Sequence, residues 1–256
     1  MSGRRTQPTD ARPQDLPTKA ELARLRVEYG KDERLAFLGH LDLIGTVERC
    51  VRRSGLPFSI GNGFARRMRI QFSSALPVGA SSACELFDVR LTEPVSADEA
   101  LERLREATPT ALALVRCAYV DGALPALEAW LNRATWDVEL VGAPFGTADL
   151  AAGISEVARR GEIVYMRGER EKRVDVSATL VGVEQVGESA LRLETRSTST
   201  GALRPRVLLD AACAAVGLDQ PEAVRVRRVL QRHEAEDGRL VEPFGPFGIE
   251  GRAPLS

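Results

Sequence analysis

A chain of 256 residues, 44% hydrophobic and 28% charged, can form one large domain or two small ones with real cores, which excludes wholesale disorder. The formal net charge of −1 excludes a protein that coats nucleic acid by bulk charge, so any nucleic-acid site must be a local patch. The four cysteines (Cys50, Cys84, Cys117 and Cys213) are far apart and form no Cys-x-x-Cys pair. That spacing argues against a zinc or iron–sulfur centre held within the chain, and no cofactor or metal is expected.

Residues 1–19 are rich in Pro, Arg, Thr, Gln and Asp without periodicity and read as a disordered arm. From Leu22 to Tyr29, Leu25, Val27 and Tyr29 alternate with charged residues, as in a half-buried strand. A helix follows over Leu41–Ser54, with Leu41, Ile44, Val47, Cys50 and Val51 on one face and Gly55 past its end. Arg69–Phe72 and Cys84–Leu91 read as strands. A second helix starts at Ser96, where Glu99 completes a capping box, and Leu112–Val120 is a further strand.

After a helical connector at Pro125–Trp130 the order repeats. A strand is expected over Thr135–Val141, then a helix over Thr147–Arg160 ended by Gly161. Strands follow at Glu162–Arg167, Val174–Val183 and Ala190–Thr195. A helix over Pro205–Val216 opens on proline and stops at Gly217, and Ala223–Leu230 is the closing strand. The fold class expected is α+β, with two tandem ferredoxin-like (βαββαβ) lobes, antiparallel sheets and disordered ends. The boundaries are an arm at 1–19, lobes at 20–122 and 123–232, and a flexible tail at 233–256. No apolar stretch reaches the length of a membrane span and no hydrophobic signal region opens the chain, so a cytoplasmic protein without a membrane partner is expected. Cysteines in apolar periodic runs fit buried thiols in a reducing compartment.

The stretch Phe37-Leu38-Gly39-His40-Leu41-Asp42 is followed by Arg52-Arg53-Ser54-Gly55-Leu56-Pro57, by Gly63-Phe64 and by Ile70-Gln71-Phe72. Ala75-Leu76-Pro77-Val78-Gly79 and Glu85-Leu86-Phe87-Asp88-Val89 complete a series whose order and spacing resemble the N-terminal part of the radical SAM-associated bacterial family, over about residues 22–92. The resemblance implies a radical SAM protein as partner, acting on RNA or a ribosomal component. It gives no assigned activity. Two departures stand out: Gly39 replaces the usual serine, and Ala65-Arg66-Arg67-Met68 replaces a His-Pro-x-Pro-like stretch.

His40 lies at a strand-to-helix entry, two residues before Asp42 and after a strand ending in Tyr29. A helix N-terminus disfavours protonation, and a neutral imidazole is what a general base needs. On one reading His40, with Tyr29 nearby, is catalytic. On the other, His40 packs under the following loop and Asp42 caps the helix. Arg49, Arg52 and Arg53 share a helical face, and Arg66, Arg67 and Arg69 follow the Gly61-Asn62-Gly63 loop. Convergence of the two groups would make a phosphate cradle, whereas separation would leave solvated arginine faces. Arg225, Arg227 and Arg228 are a possible extension of the basic surface, and Phe58, Phe64 and Phe72 read as core or as a stacking set.

The leading expectation is a non-catalytic accessory protein that binds RNA or another polyanion beside a radical SAM partner. Two alternatives are a metal-independent endoribonuclease with His40 as base, and a protein-binding adaptor without RNA.

Overall fold

The alternating run at the start of the chain forms strand β1 (Ala23–Lys31). The computed structural model describes residues 22–61 and 64–245. The expected N-terminal arm at 1–19 lies outside the described residues. β1 pairs antiparallel with β3 (Ala80–Leu91) on one side and β4 (Leu114–Val120) on the other, and the short β2 (Ile70–Phe72) pairs with β3. Helices α1 (His40–Arg53) and α2 (Ala97–Ala107) lie between the strands in sequence. Their stripes Leu43, Val47, Val51, Ala100 and Leu104 meet Leu25, Val27, Tyr29, Phe87 and Val89 in one core. Ser96 Oγ accepts the Glu99 N–H at 3.2 Å, so α2 starts where its cap residue dictates.

Strand alternation sends the neighbouring residues to the other face. There Leu86 and Ala118 pack with α3 (Leu127–Trp130), Val241 and Phe244. Residues 233–245, expected to be part of a flexible tail, are anchored instead. Strand β11 (Ala223–Glu234) runs four residues beyond the expected Leu230 and pairs with β12 (Leu240–Val241). Pro243 then gives its carbonyl to Arg26, and Arg116 stacks 3.9 Å over the Phe244 ring. Burial of Val241 and Phe244 favours order here, and polar composition alone did not show it. The Pro-Phe-Gly repeat beyond Gly245 lies outside the described residues.

In the second half, β5 (Arg133–Val141) leads into α4 (Thr147–Arg160), the hairpin β6 (Glu162–Arg167) and β7 (Arg170–Asp175), and the single turn α5 (Val176–Thr179). Then come β8 (Leu180–Gln185), β9 (Ala190–Thr198), β10 (Gly201–Ala202), α6 (Pro205–Val216) and β11. The expected strand Val174–Val183 is therefore broken. Asp175 accepts the Ala178 N–H at 3.0 Å and Thr179 bonds back to the Asp175 carbonyl, which curls the chain into a helical turn. Helices α4 and α6 touch at Gly153, where an added Cβ would sit 2.5 Å from the Ala212 carbonyl oxygen.

The protein is mixed α+β with a mostly antiparallel sheet, as expected. Among the described residues the halves share one ten-stranded sheet, ordered β10-β9-β5-β11-β3-β1-β4, with β8, β2 and β12 pairing to β9, β3 and β11. Each half repeats one order, β4-β1-β3-β2 in the first and β11-β5-β9-β8 in the second. The seam is a parallel pairing of β3 with β11, Ala80 to Ser82 against Val226 to Arg228. Across it Arg228 forks onto Glu85 at 2.9 and 3.0 Å, both side chains buried, and Arg228 lies 5.0 Å from the Trp136 ring centroid.

Candidate anion-binding site

Helix α1 turns its outer side to solvent with Arg49, Arg52 and Arg53 exposed near its C-terminus. Basic groups are favoured there because the terminal carbonyls present negative charge. Arg52 meets Glu48 at 3.4 Å and Arg49 donates to Thr46 Oγ1 at 2.9 Å. Arg53, Arg66 and Arg67 make no ion pair or side-chain hydrogen bond among the described residues, and Arg66 is held at φ 42°, uncommon outside glycine. Phe64, two and three residues before Arg66 and Arg67 in the chain, is fully exposed, while Phe58 and Phe72 pack against the core. Phe37 and Leu41, within the first recognisable stretch, are also exposed.

The second half treats its arginines differently. Arg192 pairs with Asp137 at 2.8 Å, Arg196 with Glu234 at 2.7 Å, Arg206 with Asp210 at 2.8 Å and Arg225 with Glu139 at 3.3 Å. Arg225, Arg227 and Arg228 do not form one basic surface. Arg225 is neutralised, Arg228 is buried on Glu85, and Arg227 lines a cleft at the seam.

His40 opens α1 behind Gly39, half-buried, with its ring edge-on to Phe72 at 6.2 Å between centroids. Among the described residues its side chain makes no hydrogen bond. Tyr29 is only 2% exposed and packs on Phe87 in the core. Burial first, and then the nearby Glu85 carboxylate, push its phenol well above its ordinary value. It therefore stands as a core residue apart from any solvent-facing chemistry.

Arg69 parts company with Arg66 and Arg67. It precedes β2 and lines a pocket of about 170 Å³ with Arg24, Arg90, Ile70, Gln71 and Asp88. Arg24 donates to Asp88 Oδ2 at 2.7 Å; Arg26 donates to Oδ1 at 2.8 Å and to Oδ2 at 3.0 Å. Arg24 also reaches the Pro125 carbonyl at 2.8 Å, and Arg90 the Leu22 and Gly122 carbonyls at 3.0 and 2.7 Å. Burial, followed by repulsion from Arg24, lowers the Arg90 pKa from its ordinary value, with Arg69 adding to the effect and Asp88 opposing it. Arg69 Nη1 is buried without a hydrogen-bond partner, as is Ser59 Oγ, whose residue bonds Arg69 through the backbone at 2.8 Å.

Sequence reasoning missed Arg24, Arg26, Asp88 and Arg90. Arg24 and Arg26 alternate with apolar residues, which is also how a solvated strand face reads. Only the covering by α3 and the Pro243 segment makes that face interior. A larger cleft, about 520 Å³, sits at the seam between the halves. Lys31, Asp32, Glu33 and Arg227 line it, with Asp32 paired to Arg34 at 2.9 Å. Lys31 is also committed to the Ala36 and Leu38 carbonyls at 3.2 and 3.1 Å, and burial lowers its pKa.

Fold and site together define a mixed α+β protein on one largely antiparallel sheet. The model of the family described as "Uncharacterized protein conserved in bacteria" (DUF2344) matches residues 24–205, and the chain belongs to that family. No curated protein matches it. Among solved structures it is similar to a chain in a crystal structure of a Cbf5-Nop10-Gar1 complex, with 11% identity and a TM-score of 0.41, over 89% of this chain and 55% of that one. It is also similar to a chain of the archaeal box H/ACA sRNP Nop10-Cbf5 complex, with 11% identity and a TM-score of 0.38, over 84% of this chain and 50% of that one. The chain thus spans about half the length of these solved chains. Among the described residues no group of three or more His, Cys, Asp or Glu could hold a metal ion, and no helix is long and apolar enough to cross a membrane.

Proposed function

We propose that this chain is a non-catalytic accessory protein, built as two tandem ferredoxin-like lobes, that holds an RNA for a radical SAM partner enzyme. The observation that carries the RNA reading is the contrast in neutralisation. Among the described residues Arg53, Arg66 and Arg67 lie exposed without an ion pair, and Phe64, close to Arg66 and Arg67 in sequence, is fully exposed, while arginines of the second half, such as Arg192, Arg196 and Arg225, are mostly paired. Unpaired guanidinium groups next to an exposed aromatic ring suit single-stranded RNA, whose phosphates take the charge and whose bases stack. The radical SAM partner rests on the resemblance of residues 37–89, and exposed Phe37 and Leu41 within them offer apolar contact.

The endoribonuclease reading has no observation in its favour. Among the described residues His40 has no hydrogen-bonded group to orient it, and Tyr29 is enclosed in the core. Affinity purification of the tagged protein from its host, with the variant R52E/R53E/R66E/R67E alongside, tests the proposal. The wild type should retain RNA and a radical SAM protein, and the variant should lose the RNA. For purified components, the slope of log affinity against log salt should fall by about 0.7 for each phosphate contact removed. Undiminished RNA binding by the variant would sink the RNA reading.

A further inference from the structure

The cleft at the seam shares no lining residue with the arginine surface of α1, and two of its exposed charges, of opposite sign, have no ionic partner among the described residues. We propose that it binds a short peptide by its two ends, with Arg227 and Ser81 holding the carboxylate and Glu33 the ammonium group. Arg227 on β11 and Ser81 on β3 are partners in the parallel pairing that joins the halves, so their side chains stand on one face of the sheet. Asp137, the partner of Arg227 on β5, is taken by Arg192 at 2.8 Å. Ser81 is only 5% exposed, yet its hydroxyl makes no hydrogen bond among the described residues. A buried hydroxyl left unpaired is costly, and a carboxylate lying in the cleft would accept its proton.

The fold keeps room above this pair. β1 and β3 fall out of register between Tyr29 and Lys31, and Gly30 sits at that irregularity without a side chain. With Ala83, Ala111 and Ala113 it lines a cleft of about 520 Å³, within the range of about 300–1,000 Å³ common for small-molecule sites. Glu33, just after β1, is exposed and unpaired among the described residues, whereas Asp32 is held by Arg34 and Lys31 by two carbonyls. A polyanion entering the cleft would be repelled by Asp32 and Glu33, but a zwitterion satisfies Glu33 and Arg227 together. A single amino acid carries both charges on one carbon. The ends of an extended di- or tripeptide stand about 7–10 Å apart, which suits charges carried on separate segments of the lining.

Titration of the isotope-labelled full chain with trialanine at pH 7.5 and low ionic strength, followed through its amide NMR signals, tests this. The amides of Gly30, Ser81 and Ala111 should shift saturably. N-acetyl-trialanine and trialanine amide should each bind about tenfold or more weakly, since each loses one charge-assisted contact. R227Q should lose the preference for the free carboxylate and keep that for the free amine, and E33Q should do the reverse. Both positions are exposed and without ion pairs among the described residues, so these variants should melt like the wild type. R52E/R53E/R66E/R67E should bind trialanine normally, which separates the cleft from the proposed RNA surface. The proposal is overturned by absence of saturable shifts in the wild type, by equal binding of free and capped peptides, or by end preferences unchanged in R227Q and E33Q.

Discussion

Replacing Glu85 by Gln should destabilise the protein by about 3–5 kcal/mol, because the change strands a buried Arg228 at the seam of the two halves. Arg228 is 2% exposed and Glu85 3%, and the carboxylate accepts two hydrogen bonds at 2.9 and 3.0 Å. Gln keeps the shape and one acceptor oxygen but withdraws the charge. Arg228 then retains the Ser74 hydroxyl at 3.0 Å, the Ser74 carbonyl at 2.9 Å and Gln231 at 3.4 Å, none of which balances it. In a protein of this size about 1 kcal/mol lowers Tm by about 2–4 °C, so the expected fall is about 6–20 °C.

The double variant E85L/R228M removes both charges and should recover most of that loss, since a buried ion pair is often no better than apolar side chains of similar volume. Urea unfolding of the wild type, each single variant and the double variant measures the coupling directly. Additive losses in the double variant would refute the idea that the stranded charge, rather than lost packing, sets the cost. Because β3 and β11 pair over only three positions, Ala80 to Ser82, the single variants should also unfold in a broader transition, with the halves melting apart.

Other consequences are simpler to test. Hydrogen bonds from Arg196 first, and also from Arg133, hold the Glu234 carboxyl down at about 2 against an ordinary value of 4.5. A depressed carboxylate stabilises the fold above its unfolded value and loses that contribution as pH falls, so stability should drop between pH 4.5 and 2. E234Q should flatten this acid limb, and an unchanged limb would show that other carboxylates set it. Burial drives the Cys84 and Cys117 thiols up to about 12. A thiol-specific disulfide reagent at pH 8 should therefore label buried Cys84 only after unfolding and partly buried Cys117 slowly, and fast labelling of the native protein at Cys84 would contradict its burial.

Much of the secondary structure follows from local rules that the chain carries in plain view. Ser96 with Glu99, Gly161 after Arg160, and Pro205 with Gly217 bound their helices because caps and stops act within one or two turns. Likewise β1 forms from alternation, and the exposed arginines of α1 follow from helical spacing. Local rules fail where a short-range competitor intervenes, as when the side chain of Asp175 turns an apparent strand into α5.

Long-range pairing decided the rest. No local pattern says that β11 runs parallel to β3, that Arg228 reaches Glu85 across 143 positions, or that residues 240–244 fold back over β1. Nor does alternation distinguish a charged strand face open to water from one roofed by α3 and the Pro243 segment. The sequence by itself thus determined the main helices, their boundaries and the exposure of Arg49, Arg52 and Arg53 on α1, all products of short-range rules. Only the tertiary structure decided that Arg24, Arg69 and Arg90 line one pocket with Arg26 buried on the same Asp88, because burial depends on what covers a face, and part of that cover comes from residues about 100 to 217 positions further along.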